Sequence, residues 1–247
     1  MARRGGDKLF KKAKEKKDYA RKKPNKELVK SIIIACEDSI SSPTYFQMII
    51  DKLIDSKKIT PNSIIIVPHD GHTDPMGVLN NLKLYKKNGL TYKDFEHKWI
   101  VIDRDNQRVN SGGHTAENFN NAIKNAESKR KYLHIDVAYS NDSFELWYLL
   151  HFSYRHTAIM RDEIIQKVIE ELKRIEPHKF LRLTKENIKQ KNYTKQIFDT
   201  LLQYQSDAIN NAENLLRSYA EEHNPETDNP STTVHKLVIL LNMFNKT

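Results

Sequence analysis

Hydrophobic and polar positions along residues 31 to about 155 alternate between two periods. Four short apolar runs have the length and β-branched composition of strands: "SIIIAC" (31–36), "SIIIV" (63–67), "WIVI" (99–102) and "YLHIDVAYS" (132–140). Between them, apolar residues recur every three or four positions, as Phe46, Ile49, Ile50 and Leu53 do, which is the spacing of an amphipathic helix. This strand–helix alternation predicts an α/β fold with a mostly parallel sheet and helices on both faces.

The pattern changes after about residue 159, where only the helical period remains. Ile164, Ile165 and Val168 begin one apolar stripe, and Val234, Leu237 and Val238 belong to the last one. We therefore predict an α/β domain over residues 31–158 and a helical extension over residues 159–247 that packs on it. The extension is not expected to be a second independent fold.

Charge separates a third segment, residues 1–30, from the rest of the chain. The whole chain has 41 Lys and Arg residues, 32 Asp and Glu residues and a formal net charge of +9. Residues 1–30 hold thirteen of the basic and four of the acidic residues, so the remaining chain, with 28 of each, is neutral. We predict a basic and flexible N-terminal arm.

Such an arm attracts polyanions through counterion release, which predicts contact with nucleic acid. Contact with a membrane surface and a merely solvated tail are the alternatives; the arm lacks the Trp- and Leu-rich face of an interfacial helix. The residues that we expect to bind nucleic acid are Arg3, Arg4, Lys11, Lys12, Lys16, Lys17, Arg21, Lys22 and Lys23.

Composition limits the location of the protein. The longest apolar runs are far too short to cross a bilayer, and the first residues lack the apolar segment of a secretory signal. Cys36 is the single cysteine, so an intrachain disulfide is impossible. We expect a cytoplasmic protein without a membrane partner.

Three acidic residues follow predicted strands. Glu37 comes directly after the first strand, and Asp103 and Asp105 end the third, "WIVIDRD". Ligands of open α/β sheets bind at the carboxyl ends of strands, where these carboxylates would converge if the two strands are neighbours. A bound Mg²⁺ or Mn²⁺ ion would relieve their mutual repulsion and could activate water against a phosphodiester. The alternative is that Asp103 and Asp105 are solvated acids in a turn before Gly112 and Gly113.

These residues resemble a known arrangement. The motif "ACED", followed 66 residues later by "VIDRD", is similar to Toprim domains, in which a Glu and an Asp-x-Asp pair bind a divalent metal for phosphodiester chemistry. Two longer segments, "YSNDSFELWYLLHF" (139–152) and "NPSTTVHKLV" (229–238), resemble the RloB-like family of bacteria. That family is associated with restriction loci and with abortive-infection phage defence, often beside an ABC-type ATPase. The resemblance covers roughly residues 30–245.

The resemblance implies a role for each acid. Glu37 matches the glutamate that acts as a general acid/base or metal ligand, and Asp103 and Asp105 match the metal-binding pair. The chain departs from many relatives in having Asp38 rather than Gly after the glutamate, which either hinders approach of a phosphate or adds an acid to the site. The implied protein is a metal-dependent nuclease for RNA, including tRNA, or DNA, controlled by an ABC-type ATPase.

Two other functions remain open, and so does self-association into a homo-oligomer. One is a non-catalytic, Toprim-shaped subunit that binds nucleic acid or the ATPase. The other is a metal-dependent phosphotransferase for small nucleotides. No recognition motif in the chain chooses between RNA and DNA.

Three further features have two interpretations each. Glu145 is either an acid favoured by the dipole of a helix start or a fourth catalytic residue. His235 either belongs to the last helix, capped by Asn229 or Ser231, or reaches the mouth of the site at a phosphate-binding helix start. The loop "VPHDGHTDP" (67–75) either is a polar rim or contacts substrate.

Overall fold

The computed structural model describes residues 31–72, 74–108, 113–219 and 223–246, so the predicted basic arm lies outside the described residues. Seven strands occur in these ranges: β1 (Ile32–Cys36), β2 (Ile64–Ile66), β3 (Lys86–Lys87), β4 (Leu90–Thr91), β5 (His97–Asp103), β6 (Asp136–Asn141) and β7 (Ser231–Thr232). Five form one sheet in the order β2-β1-β5-β6-β7. The first four are parallel, and β7 pairs antiparallel with β6. The prediction of a mostly parallel α/β sheet is confirmed, and the fold is consistent with a Toprim-like domain.

The helices cover both faces of this sheet. In chain order they are α1 (Ser41–Asp55), α2 (Pro75–Leu84), α3 (Ala116–Ala126), α4 (Glu145–Leu150), α5 (Arg161–Ile175), α6 (Pro177–Phe180), α7 (Lys191–Leu201), α8 (Gln205–Ser218) and α9 (Val234–Met243). Apolar residues of α2 and α3 pack on one face. Those of α1 and of α4 to α9 form one continuous core on the other.

Strand β1 shows why its sequence is apolar throughout. Side chains alternate between the two faces of a strand, and both faces of this one are covered by helices. Ile32 and Ile34 therefore enter the core beneath α1, whereas Ile33 and Ala35 enter the core beneath α2 and α3. All of them are fully buried.

The sequence pattern predicted only helices in the C-terminal part, but the structure also has a strand there. Ser231 and Thr232 form β7, so this part also adds a strand to the sheet. Ser231 consequently does not cap the last helix, whose N-cap is Thr233 and whose start has no side-chain cap. A two-residue strand is too short to leave a periodic signal.

The cap of α1 comes from a residue that precedes the helix. The carboxylate of Asp38 serves the start of α1: it accepts hydrogen bonds from the backbone N–H of Ile40 (2.8 Å) and Ser42 (3.0 Å) and from the Ser42 hydroxyl. Asp38 is therefore held as a helix cap. No helix in the described part of the chain is long and apolar enough to span a membrane.

The fold predicts a specific acid sensitivity at His151, which closes α4. Its ring is buried, its Nδ1–H donates to the Trp147 carbonyl (2.8 Å), and burial lowers the pKa of His151 to about 4. In the unfolded chain the His151 imidazole binds a proton near pH 6.5. The free energy of unfolding is therefore unaffected by this residue above pH 6.5 and decreases as the pH falls toward 4. At pH 5 the free energy of unfolding is lower by about 2 kcal/mol than above pH 6.5 because of His151.

The test compares urea unfolding of the wild type and His151→Gln at pH 7.5 and pH 5. We expect the loss of unfolding free energy on acidification to be smaller in the variant by about 2 kcal/mol. His156→Gln, at an exposed position, is the matched control. An equal pH dependence in the wild type and in His151→Gln would contradict the assignment.

Candidate functional site

The site lies where the sheet order switches direction. From β1 the chain passes to β2 on one side and then crosses to β5 on the other, so the carboxyl ends of β1 and β5 flank the switch point. Glu37 follows β1 and Asp103 ends β5. The Glu37 N–H donates to the Val101 carbonyl (2.9 Å), and its Oε2 accepts from the Asp103 N–H (2.9 Å). The structure thus brings Glu37 and Asp103 together.

A guanidinium joins the two aspartates of the Asp-x-Asp pair. Nη2 of Arg161 lies 3.2 Å from Oδ2 of Asp103 and 2.8 Å from Oδ1 of Asp105. All three side chains are buried, and Arg161 comes from the first residue of α5. The backbone N–H of Arg161 donates to Oδ2 of Asp142 (3.1 Å), which fixes the start of the helix against the sheet. Pattern analysis did not single out Arg161.

Asp105 is held in an uncommon backbone conformation. Its φ is +50°, in the left-handed region that most residues avoid and Asp tolerates better than most. Its N–H donates to the Asp142 carbonyl (2.9 Å), and its own carbonyl accepts from the Arg108 N–H (3.0 Å). The bend after β5 therefore turns the Asp105 carboxylate to the same guanidinium as Asp103.

Glu145 is buried at the start of α4 and is ion-paired. Its Oε1 accepts from the Ser41 hydroxyl (3.1 Å) and lies 3.2 Å from the Lys189 ammonium. Burial raises the pKa of Glu145, but Lys189 and Arg161 outweigh that effect and lower the pKa to about 2. Glu145 is therefore an anion, and its charge raises the pKa of the nearby Asp103.

Glu37 and Asp103, the two acids at the switch point, bind protons more readily than free carboxylates. Burial, followed by the charges of Glu37 and Glu145, holds the pKa of Asp103 well above its usual value, although Arg161 opposes the shift. Burial likewise raises the pKa of Glu37, against the influence of His114 and of the Asp103 N–H. The neighbouring cations and hydrogen-bond donors therefore do not fully offset the burial and mutual repulsion of the carboxylates of Glu37 and Asp103.

Two histidines contact Glu37: His114 was not predicted as a site residue, whereas His69 belongs to the loop 67–75, for which substrate contact was one of two interpretations. His114, which is buried, places Nδ1 3.3 Å from Oε1 of Glu37, and Nε2 of His69 donates to the Glu37 carbonyl (3.0 Å). Gly71 N–H donates to Nδ1 of His69 (3.0 Å), which fixes the tautomer that this requires. The available signal was a histidine directly after the Gly112-Gly113 loop that follows Asp105.

Asp74, Arg104 and His235 have other partners or positions. Asp74 caps α2 by accepting from the Gly77 N–H (3.0 Å). Arg104 points away from the two acids that flank it and pairs with Glu226 (3.5 Å). His235 is buried in α9, where burial is the main reason that its pKa falls to about 4, and its charged neighbours are Lys236 and Glu213.

The donors suit a divalent metal in kind. Four carboxyl groups interact electrostatically with Arg161 here, and Glu37 adds a fifth beside Asp103; carboxylate oxygens are the ligands that Mg²⁺ and Mn²⁺ prefer. The acids are Glu37, Asp103, Asp105, Asp142 and Glu145, and the cations are Arg161 and Lys189. Within the described ranges, however, no three His, Cys, Asp or Glu side chains are arranged to hold a metal ion. An ion shared by Asp103 and Asp105 would have to replace the guanidinium that now joins them.

Arg161→Gln tests this competition. Removing one partner of a buried ion pair costs about 3–5 kcal/mol, so we expect the variant to melt below the wild type in EDTA. Mn²⁺ should then raise the melting temperature of the variant more than that of the wild type, because a ligand that binds only the folded state stabilises it. Differential scanning calorimetry measures both shifts.

Arg174→Gln, which removes a guanidinium paired with Glu171 at an exposed position, is the matched control. If Arg161→Gln does not fold, Arg161→Lys, which keeps the charge, replaces it in the same melting experiment. A Mn²⁺-induced shift in Arg161→Gln that is no larger than in the wild type would contradict competition.

A comparison with family models identifies the family of the chain. The model of the family described as RloB-like protein matches residues 32–241, from β1 to the last turns of α9. No curated protein and no solved structure gives a significant match. The matched segment includes Glu37, Asp103, Asp105, Glu145 and Arg161, and it covers most of the chain. The chain therefore belongs to the RloB-like protein family.

Proposed function

We propose that this RloB-like protein is a divalent-metal-dependent nuclease that acts as a toxic effector in phage defence. The observation that carries the proposal is that Asp103 and Asp105 share one guanidinium at the switch point of a parallel sheet, where Glu37 bonds to the Asp103 backbone, with more acids than cations. Clustered carboxylates at this position suit a cation that binds phosphate oxygens. The family resemblance supports the defence role.

Asp103, Asp105 and Glu37 would hold Mg²⁺ or Mn²⁺, and the bound ion would polarise a phosphodiester and favour an attacking hydroxide. Glu37 would also take part in proton transfer. The Glu37 carboxylate and the His114 imidazole, 3.3 Å apart, form a pair that can accept a proton from the attacking water or return one to the leaving oxygen. Glu145 remains paired with Lys189 and holds that ammonium beside Asp103.

Arg161 would change partners in this scheme. Once the aspartates are neutralised by another cation, the guanidinium becomes available to a phosphate, whose oxygens it can bind in a bidentate manner. A buried, always-charged group next to the scissile position would stabilise the negative charge that develops there. The same side chain would thus neutralise the resting site and support the reaction.

Two partners complete the proposal. The basic arm, residues 1–30, would bring the nucleic acid to the site, and its density of Lys and Arg supports this. An ABC-type ATPase would restrain or trigger the activity, and what supports that partner is the family resemblance alone. RNA, including tRNA, and DNA are both candidate substrates.

One observation favours a second candidate, the non-catalytic subunit. Arg161 already pairs with both aspartates, as expected of an ion cluster whose only task is to join α5 to the sheet. In that case the sheet domain would bind nucleic acid or the ATPase without cleaving anything. Activity and metal uptake separate the two functions.

The test incubates the purified chain with labelled tRNA, total RNA and duplex DNA, in Mg²⁺, in Mn²⁺ and in EDTA. We expect cleavage that requires the ion and that falls by about a hundredfold or more in Asp103→Asn, since one lost electrostatic contact at a reacting phosphate acts on this scale. Glu37→Gln should lose activity as well. Asp136→Asn, at the opposite end of β6, is the matched control.

Cleavage that persists in EDTA or in Asp103→Asn would show that the switch-point acids do not hold a catalytic metal. Absence of both cleavage and metal uptake, with an ABC-type ATPase added, would favour the non-catalytic subunit.

A further inference from the structure

A cleft of about 450 Å³ opens beside the carboxylate site at the ends of β1 and β2. Its walls come from the first turns of α1, the segment after β2 and the start of α7. This volume lies in the range of small-ligand sites. Nothing in the proposed reaction uses the cleft.

The cleft combines an apolar surface with two free ammonium groups. Pro43, Met48, Ile66 and Val67 contribute apolar area. Lys191 and Lys195 lie one turn apart on α7, so they share a side of the helix, and both are exposed. Neither forms an ion pair with a residue in the ranges that the structure describes.

The acids in the walls are already engaged. Asp38 accepts from the backbone at the start of α1, and Asp51 accepts from Nε2 of Gln47 (2.7 Å). In addition, α7 starts at Lys191 without a side-chain cap, so its first-turn amides add partial positive charge to the same wall. The cleft thus has two hydrogen-bonded carboxylates on its α1 side and, on its α7 side, two ammonium groups that are unpaired among the described residues, so its positive charge lies along α7.

Adjacent residues connect the cleft to the carboxylate site. Cys36 and Asp38 line the cleft and flank Glu37, whose side chain turns toward Asp103. His69 also lines the cleft and donates to the Glu37 carbonyl. Lys189, which pairs with Glu145 at the site, precedes Lys191 by two residues. The cleft and the carboxylate site are therefore neighbours at the carboxyl end of β1.

We propose that this cleft binds one nucleotide of a single-stranded nucleic acid next to the scissile phosphodiester. Lys191 and Lys195 contact its phosphates as point charges, and the base lies against the apolar surface of Pro43 and Ile66. The inference rests on the proposed nuclease function, since it assigns a subsite to that substrate. An apolar wall accepts any base, so the subsite selects single strands rather than a sequence.

The test measures binding of fluorescently labelled single-stranded RNA and DNA oligonucleotides to the full chain in EDTA, by anisotropy over a series of salt concentrations. The K191A/K195A variant should bind about tenfold more weakly. Its slope of log K against log salt should fall by about 1.4, because each lost single-strand phosphate contact contributes about 0.7. RNA and DNA arms show whether a 2′-hydroxyl matters.

Two controls separate the cleft from general charge. K129A/K131A removes the same charge from exposed residues that precede β6, at the amino end of this parallel strand and so away from the cleft, and should leave binding nearly unchanged. Met48→Trp fills the cleft without altering charge or the bond between Gln47 and Asp51, and it should weaken binding as the lysine variant does. Thermal melts confirm that each variant is folded.

Equal weakening by the two lysine pairs would overturn the proposal, and so would binding by Met48→Trp that is as strong as that of the wild type. Because binding is measured without metal, the subsite can be confirmed even if no cleavage is found. Conversely, metal-dependent cleavage with an unchanged KM in K191A/K195A would uphold the nuclease and reject the subsite.

Discussion

The ion pair of Arg161 with Asp103 and Asp105 is the interaction on which the rest of this structure depends. Carboxylates placed at the end of a buried parallel strand lose hydration. Without a cation they would take up protons, or their mutual repulsion would destabilise this end of the sheet. The guanidinium spans both acids with distances of 3.2 and 2.8 Å. It also sits at the first residue of α5, where Asp142 accepts from its backbone, so the same contact fixes a helix to the sheet.

This contact explains why the C-terminal helices belong to the site. Arg161 and Lys189 both lie in the segment after residue 159, whereas the acids that they neutralise follow strands of the sheet. The apolar faces of α5, α7, α8 and α9 share one core with α1 and α4, which holds these cations in place. β7 adds a direct backbone link between this segment and β6. Site and core therefore depend on the same packing.

Much of the fold could be predicted from the sequence because its signals are local. Apolar runs of strand length, separated by helical stripes, indicate a parallel sheet, and the acids that follow those runs must lie at its carboxyl edge. The proximity of Glu37 and Asp103 follows from strand order. By contrast, Arg161, Lys189 and His114 reach the acids through tertiary packing across 58, 44 and 77 residues, respectively. No periodicity encodes such contacts. The cap at Asp38 and the two-residue β7 were also missed, because several polar residues nearby suit a cap equally well and two residues carry no pattern.

The central claim, that the acids at the switch point hold a divalent ion in exchange for a guanidinium, is tested most directly by crystallography. Crystals grown with Mn²⁺ would be measured for anomalous scattering. We expect a peak about 2.1 Å from carboxylate oxygens of Asp103 and Asp105, the spacing of a small hard cation, with the guanidinium of Arg161 moved from between them. Saturating Mn²⁺ with no peak there, and with Arg161 still bridging both aspartates, would contradict a metal-dependent site.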